Sequence, residues 1–235
     1  MAPRPGHRVT VVAHRGDPYV HRENTLPSVR SALHKGADVV EVDVRLTRDG
    51  VPVLLHDATL ERLWGRPAPV TSLTYDEVAE ATGGGVPAFA DALAELLRRP
   101  GPARMLIDLT EVPQAAAAIT AVREAGAADR VYYCGELAAM REVRALEPSA
   151  EVAMTWTTSA RPADSLIDGL GPRWLNLRFG LANPATVAWA HDRGLLVAAW
   201  TADWQRSMSR LVAAGVDAIT SNRLDALLRV ASRPA

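Results

Sequence analysis

Asp38-Val39-Val40-Glu41-Val42-Asp43-Val44, the turn Arg48-Asp49-Gly50 and the returning run Val51-Pro52-Val53-Leu54-Leu55-His56-Asp57 decide how this chain folds. The first run reads as a strand. Its side chains alternate, so Glu41 and Asp43 point to one side and Val40, Val42 and Val44 to the other. A parallel neighbour would need a crossover of roughly a dozen residues, which the short turn cannot supply. Val51 to Leu55 is therefore expected to return antiparallel, as a hairpin arm that carries His56 back toward the two carboxylates. Two acids on an otherwise apolar strand are costly to bury without positive charge between them. A divalent metal ion is the reading that satisfies both.

Outward from this stretch the pattern is strand and helix by turns. Val9 to Ala13 is a β-branched run ending at His14-Arg15-Gly16. Asn24-Thr25 can cap a helix whose apolar face is Leu26, Val29, Ala32 and Leu33, with Gly36 as its stop. Asp57 to Val86 reads as an irregular excursion over the mouth with one short helix, Tyr75 to Ala81, and Phe89 to Leu97 as the next helix. Strands then fall at Met105–Leu109, Val131–Cys134, Val152–Trp156, Trp174–Leu177, Leu196–Trp200 and Asp217–Thr220. The helices between and after them are Pro113–Ala125, Glu136–Leu146, Ala163–Leu170, Pro184–Arg193, Trp204–Ala214 and Leu224–Val230. Pro113 and Pro184 stand at helix starts, and Gly126, Gly194 and Gly215 at helix ends. With the arm set aside, eight strands alternate with helices, which predicts an α/β fold, a TIM (β/α)8 barrel, with the hairpin arm and an insertion at residues 57–87 over its C-terminal mouth. An open doubly wound sheet is the alternative, although no G-x-G-x-x-G turn is present. One domain is expected over residues 1–235.

The composition excludes several classes. A net charge of −1, with Lys and Arg scattered, argues against a nucleic-acid surface or a polybasic membrane patch. The single cysteine, Cys134, excludes an internal disulfide and reads as a small buried apolar residue. Met1 to Arg8 is followed by no apolar run long enough for a signal peptide, and no stretch approaches a membrane span, so no integral membrane segment and a cytoplasmic location are expected. Composition does not address oligomeric state.

In a barrel of this kind chemistry sits at the C-terminal ends of the strands. Those ends carry His14, Arg15, Glu41, Asp43, Asp108, Thr110, Asn176, Arg178 and Trp200. The period of two places Asp108 and Thr110 together, so three carboxylates from two strands converge. Oxygen-rich, sulfur-free ligands suit Mg²⁺ or Ca²⁺. For any one of these acids the plainer reading is a salt bridge to a neighbouring arginine. His14 and His56 are the histidines at the mouth, and imidazole exchanges protons near neutrality. His7, His21, His34 and His191 fall on loops or polar helix positions and read as surface or structural residues.

The ordered set His14-Arg15-Gly16, Glu23-Asn24-Thr25, Glu41-x-Asp43, His56-Asp57 and Leu60-x-Arg62 resembles the glycerophosphodiester phosphodiesterases. Trp200-Thr201 and Gly215-Val216-Asp217-x-Ile219-Thr220 extend the resemblance over nearly the whole chain. It implies a TIM barrel in which Glu41, Asp43 and a third acid hold a divalent cation. His14 and His56 would act as general acid and base, Arg15 would hold the phosphate, and Trp200 would line the pocket. The chain departs from the family pattern in three places. Asp108 stands where a glutamate is usual, Thr110 where a lysine is usual, and Arg22 where a proline is usual. Arg178, on the same side of its strand as Asn176, is the candidate to replace the missing lysine charge.

The expected activity is hydrolysis of a small-molecule glycerophosphodiester to glycerol 3-phosphate and an alcohol. A lysophospholipase D-like enzyme is the second reading, with Leu63, Trp64 and Trp204 offered for an acyl chain. A catalytically silent barrel that binds phosphate esters is the third, motivated by Thr110.

Overall fold

The computed structural model describes residues 8–232. In chain order its strands are β1 (Thr10–Ala13), β2 (Val39–Leu46), β3 (Pro52–Leu54), β4 (Thr59–Leu60), β5 (Arg66–Pro69) and β6 (Arg104–Leu109). They continue with β7 (Val131–Gly135), β8 (Ala153–Trp156), β9 (Trp174–Arg178), β10 (Leu196–Trp200) and β11 (Ala218–Ser221). The helices are α1 (Leu26–Lys35), α2 (Glu61–Trp64), α3 (Tyr75–Thr82), α4 (Phe89–Arg98) and α5 (Val112–Ala125). After them come α6 (Leu137–Leu146), α7 (Asp164–Leu170), α8 (Pro184–His191), α9 (Gln205–Ala214) and α10 (Leu224–Ala231).

Eight parallel strands run in the order β7-β6-β2-β1-β11-β10-β9-β8. The two ends of this order meet through a parallel bridge between Tyr133 and Val152 and the hydrogen bond from Tyr133 N to Glu151 O. The ring closes there, so the barrel stands and the open-sheet alternative falls. Alternation along each strand sorts the side chains into two cores. Val12, Val39, Leu106, Tyr132, Cys134, Ala153, Trp174, Ala198 and Ala218 fill the barrel interior. Val40, Val42, Val44, Ile107 and Leu109 face outward into the layer beneath the helices. Packing on both faces explains why the strands read as nearly continuous apolar runs interrupted by a few acids. Cys134 is buried as a small apolar residue, and burial holds its thiol well above the ordinary range.

The arm is antiparallel, with Val44 opposite Leu54, Arg45 opposite Val53 and Leu46 opposite Pro52. This pairing carries β2 two residues past Val44, because a partner strand is present to hold it there. Residues 57–86 hold more order than their sequence pattern indicates. A two-stranded ribbon of β4 and β5, α2, a 3-10 turn at Val70–Ser72 and α3 pack around Leu60, Val70, Val78 and Val86. Val53 and Leu55 complete that core, so the arm itself supplies the apolar face on which the segment folds. Among the described residues no helix is long and apolar enough to cross a membrane. His7 lies outside the described residues.

Candidate active site

The β1–α1 connection is built around Gly16. At φ 87° its missing Cβ leaves room for Ser28, whose Oγ would lie 2.4 Å from a Cβ at that position. Ser28 Oγ donates to Arg15 O at 3.0 Å and accepts from Asp17 N at 2.7 Å, locking the turn onto α1. Arg15 adopts φ 58°, a left-handed conformation that turns its backbone N–H onto Glu41 Oε2 at 2.8 Å. Its Nε lies 3.1 Å from Asp43 Oδ2, and Nη1 donates to Glu23 Oε1 at 2.8 Å. Asn24 does more than its place before a helix indicates: Nδ2 donates to Asp43 Oδ2 at 2.6 Å, while Oδ1 accepts from Asp43 N at 3.2 Å. Capping of α1 falls to Thr25.

Glu41 and Asp43 point into the mouth from β2, and parallel register sets Asp108 of β6 beside Asp43. Each of the three can place an oxygen within 4.8 Å of the others. Gly135 makes this approach possible, because a Cβ there would lie 1.9 Å from Leu109 O and 2.7 Å from Asp108 Oδ1. Burial, with the charges of Asp43 and Asp108 beside it, holds Glu41 well above the usual carboxylate range. Burial and then the charge of Asp43 push Asp108 up to about 7. Asp108 Oδ1 is buried with no hydrogen-bond partner. Three hard oxygen ligands, one of them orphaned, against the single guanidinium of Arg15 are chemically suited to a divalent cation. The residues fit such an ion.

The two histidines approach from opposite supports. His14 follows β1, and its Nδ1 lies 2.7 Å from Asn222 Oδ1. The orientation of Asn222 is set by Asp203, which accepts from Asn222 Nδ2 at 2.8 Å and from Asn222 N at 2.9 Å. His14 Nδ1 therefore donates, leaving Nε2 as the free nitrogen, 3.9 Å from Glu41 Oε2. Burial, and then the charge of Arg15, lowers the pKa of His14. His56 comes on the arm, held by Leu55 N donating to Asp43 O at 3.1 Å and by Arg45, whose Nη2 donates to His56 O at 2.8 Å. His56 Nδ1 is 2.6 Å from Asp57 Oδ1, and Asp57 Oδ2 accepts from Arg62 Nε at 2.5 Å. Arg62 Nη2 donates to Glu23 Oε1 at 2.6 Å, which closes a chain of ion pairs back to Arg15. Arg62 and His56 pull Asp57 down to about 2.

A cavity of about 220 Å³ at the mouth is lined by His14, Arg15, Glu41, Asp43, His56, Asp108, Thr110, Asn176 and Trp200 together. Arg178 is absent from this lining. It stands one pleat repeat beyond Asn176 along β9, exposed above the cavity. Thr110 brings no charge, and its N–H is capped by Gln114 Oε1 at 2.8 Å. Thr155, Thr157 and Glu136 also line the cavity. They escape a sequence reading because nothing in their local pattern separates them from any other strand end. Asn222 and Asp203 were equally hidden, their partner His14 being some two hundred residues distant in the chain.

Residues 14–226 match the model of the glycerophosphoryl diester phosphodiesterase family. A glycerophosphodiester phosphodiesterase of Caldanaerobacter subterraneus subsp. tengcongensis is 25% identical over 95% of this chain and 98% of its own length. A probable glycerophosphodiester phosphodiesterase 2 of Mycobacterium tuberculosis is 29% identical over 95% of this chain and 90% of its own. The match to mouse glycerophosphodiester phosphodiesterase 1 is 35% identical but spans 40% of this chain and only 32% of the mouse protein. Among solved structures, an Oleispira antarctica phosphodiesterase in complex with the product sn-glycerol-3-phosphate superposes with a TM-score of 0.88 at 20% identity, covering 96% of this chain and 98% of that one. That likeness speaks to the fold.

Proposed function

Because the chain belongs to the glycerophosphoryl diester phosphodiesterase family, we propose that it hydrolyses glycerophosphodiesters to glycerol 3-phosphate and an alcohol. The observation that carries this reading is the convergence of three carboxylates and two differently supported histidines on one small cavity. In this reading Glu41, Asp43 and Asp108 hold a divalent cation, Mg²⁺ or Ca²⁺ by the oxygen-only donor set. When bound, such an ion offsets the phosphate's negative charge and raises its electrophilicity.

The chain's own groups do the rest. Arg15 lines the cavity, and its Nη2, which makes no hydrogen bond among the described residues, is available to a phosphate oxygen. Arg178 adds positive charge from the rim, and Trp200 provides a wall. His14 keeps its Nδ1 proton on the neutral carbonyl of Asn222, so Nε2 takes the proton from the attacking oxygen, either water or a neighbouring glycerol hydroxyl, the latter giving a cyclic phosphate that a water then opens to glycerol 3-phosphate. His56 faces a carboxylate instead. In this reading His56, its Nδ1 held by Asp57, carries the proton that Nε2 delivers to the leaving alcohol as the phosphorus–oxygen bond breaks. The apolar part of the lining is limited to Leu106, Cys134 and Trp200, which offers no channel for an acyl chain.

The test is a product assay. Purified protein with glycerophosphocholine, glycerophosphoethanolamine and glycerophosphoglycerol should release glycerol 3-phosphate with Mg²⁺ or Ca²⁺, and chelation should abolish release. No product from any of these diesters with either ion would sink the reading.

A further inference from the structure

Few large apolar side chains are exposed among the described residues, yet three of them gather on one part of the mouth. Tyr19 is 64% exposed, Val20 56% and Trp204 69%. Tyr19 and Val20 lie on the β1–α1 connection, and Trp204 precedes α9 on the connection that leaves β10. These connections meet at Arg223, just after β11, whose guanidinium carbon lies 5.2 Å from the Tyr19 ring and 5.3 Å from the Trp204 ring. On the other side of Val20 the pattern repeats, with Arg22 4.1 Å above the ring of Trp64. Two ring-and-guanidinium clusters, Arg22 with Trp64 and Arg223 with Tyr19 and Trp204, are thus joined into a belt by the stretch from Tyr19 to Arg22, with Trp64 packed partly into the core of the insertion and Tyr19, Val20 and Trp204 as its exposed part.

Two further features show that this belt is built for display. The turn that presents Tyr19 and Val20 is tied down by Asp17 O, which accepts from Val20 N at 3.1 Å and His21 N at 3.0 Å. The Asp17 side chain is itself buried, held by Ser31 and Lys35. Moreover, Arg22 and Arg223 have no carboxylate partner among the described residues, whereas Arg15, Arg45 and Arg62, which are tied into the site and its arm, are each paired. Their charge is left for an external anion.

Arginines scattered along the chain argue against a polybasic patch in the sequence, but folding gathers Arg22 and Arg223 beside exposed rings, and we propose that this belt docks the mouth onto an anionic phospholipid surface. Tryptophan and tyrosine rings favour the headgroup level of a bilayer, Val20 adds apolar depth, and unpaired guanidinium groups meet lipid phosphates. A single-stranded nucleic acid would also meet cations and rings, but it fits less well. One face of each ring is already taken by a guanidinium, and an aliphatic tip such as Val20 gives a base nothing to stack on. The docked orientation would turn the catalytic cavity toward the lipid. The binding itself stands apart from the proposed hydrolysis.

Sedimentation of the full chain with phosphatidylcholine vesicles, with and without phosphatidylglycerol, tests the proposal. Binding is expected to the phosphatidylglycerol vesicles and to weaken with salt. Tyr19→Ala combined with Trp204→Ala should weaken it by about tenfold or more. Arg223→Gln and Arg22→Gln should each weaken it by about fivefold. None of these residues lines the cavity, so turnover of soluble glycerophosphocholine and the thermal midpoint should stay at wild-type values. Failure to bind either vesicle, or equal binding by wild type and variants, overturns the proposal. So does tighter binding to a single-stranded oligonucleotide, or loss in the same variants of a dimer held by this patch. Because vesicle binding needs no catalysis, its failure is distinct from failure of the product assay.

Discussion

The two histidines at the mouth are supported in opposite ways. His14 is enclosed by the barrel and steadied by a neutral amide, Asn222, which is itself braced by Asp203. His56 rides on a hairpin arm, more open to solvent, and is steadied by a carboxylate, Asp57, that is tied through Arg62 and Glu23 back to Arg15. Either partner fixes the orientation of the ring and which of its nitrogens faces the cavity, but one support is neutral and the other is a carboxylate. In the proposed reaction this difference is what assigns His14 to accept a proton and His56 to donate one.

Replacing either ring gives the largest effect. His14→Ala and His56→Ala are each expected to lower kcat by about 10²–10⁴-fold. Wild-type turnover in either variant would remove that histidine from the reaction. His56→Ala should leave the thermal midpoint in place, while His14→Ala should lower it slightly, since His14 is the more enclosed of the two.

Changing the supports instead of the rings tests the contrast more finely. Asn222→Asp converts the neutral support into a charged one and should cost about tenfold to a hundredfold in kcat, as outer-shell partners commonly do. Asp57→Asn makes the reverse change on the other side, with a loss of similar size. If exchanging the character of both supports leaves kcat unaltered, the division of roles is wrong even if both histidines are essential.

The smallest effect is on stability. Asp57 in the folded chain titrates at about 2, below the ordinary value of 3.8. Its ion pairs therefore stabilise the fold fully above about pH 4 and lose that contribution as pH falls through about 2. The gap in urea midpoint between wild type and Asp57→Asn should be present at neutral pH and shrink in acid. The gap will be small, because Arg62 is substantially exposed and solvent screens the pair.

Much of this was legible in the residues. The period of two put Glu41 and Asp43 on one face and set Asp108 on the same side of the next barrel strand, where the structure pairs it with Asp43. The short turn at Arg48-Asp49-Gly50 required an antiparallel arm, and the arm delivers His56 as that constraint demands. The packing of residues 57–86 was less legible. Its few apolar residues form no sustained pattern and become a core only when Val53 and Leu55 of the arm close over them. Arg178 shares a strand face with Asn176, yet alternation is silent on height along the strand, and that height leaves Arg178 above the cavity.

By itself the amino-acid sequence determined the eight barrel strands and the arm, the barrel, and the acids and histidines that share a mouth, because these follow from local periodicity and connection length. Only the tertiary structure decided what surrounds each group: Asn222 on His14, Asn24 on Asp43, Gly135 beneath Asp108, and the arginine-and-ring belt beside them. Such partners come from strands and loops far apart in the chain. Closure of the ring brings them together, and no local pattern records that meeting.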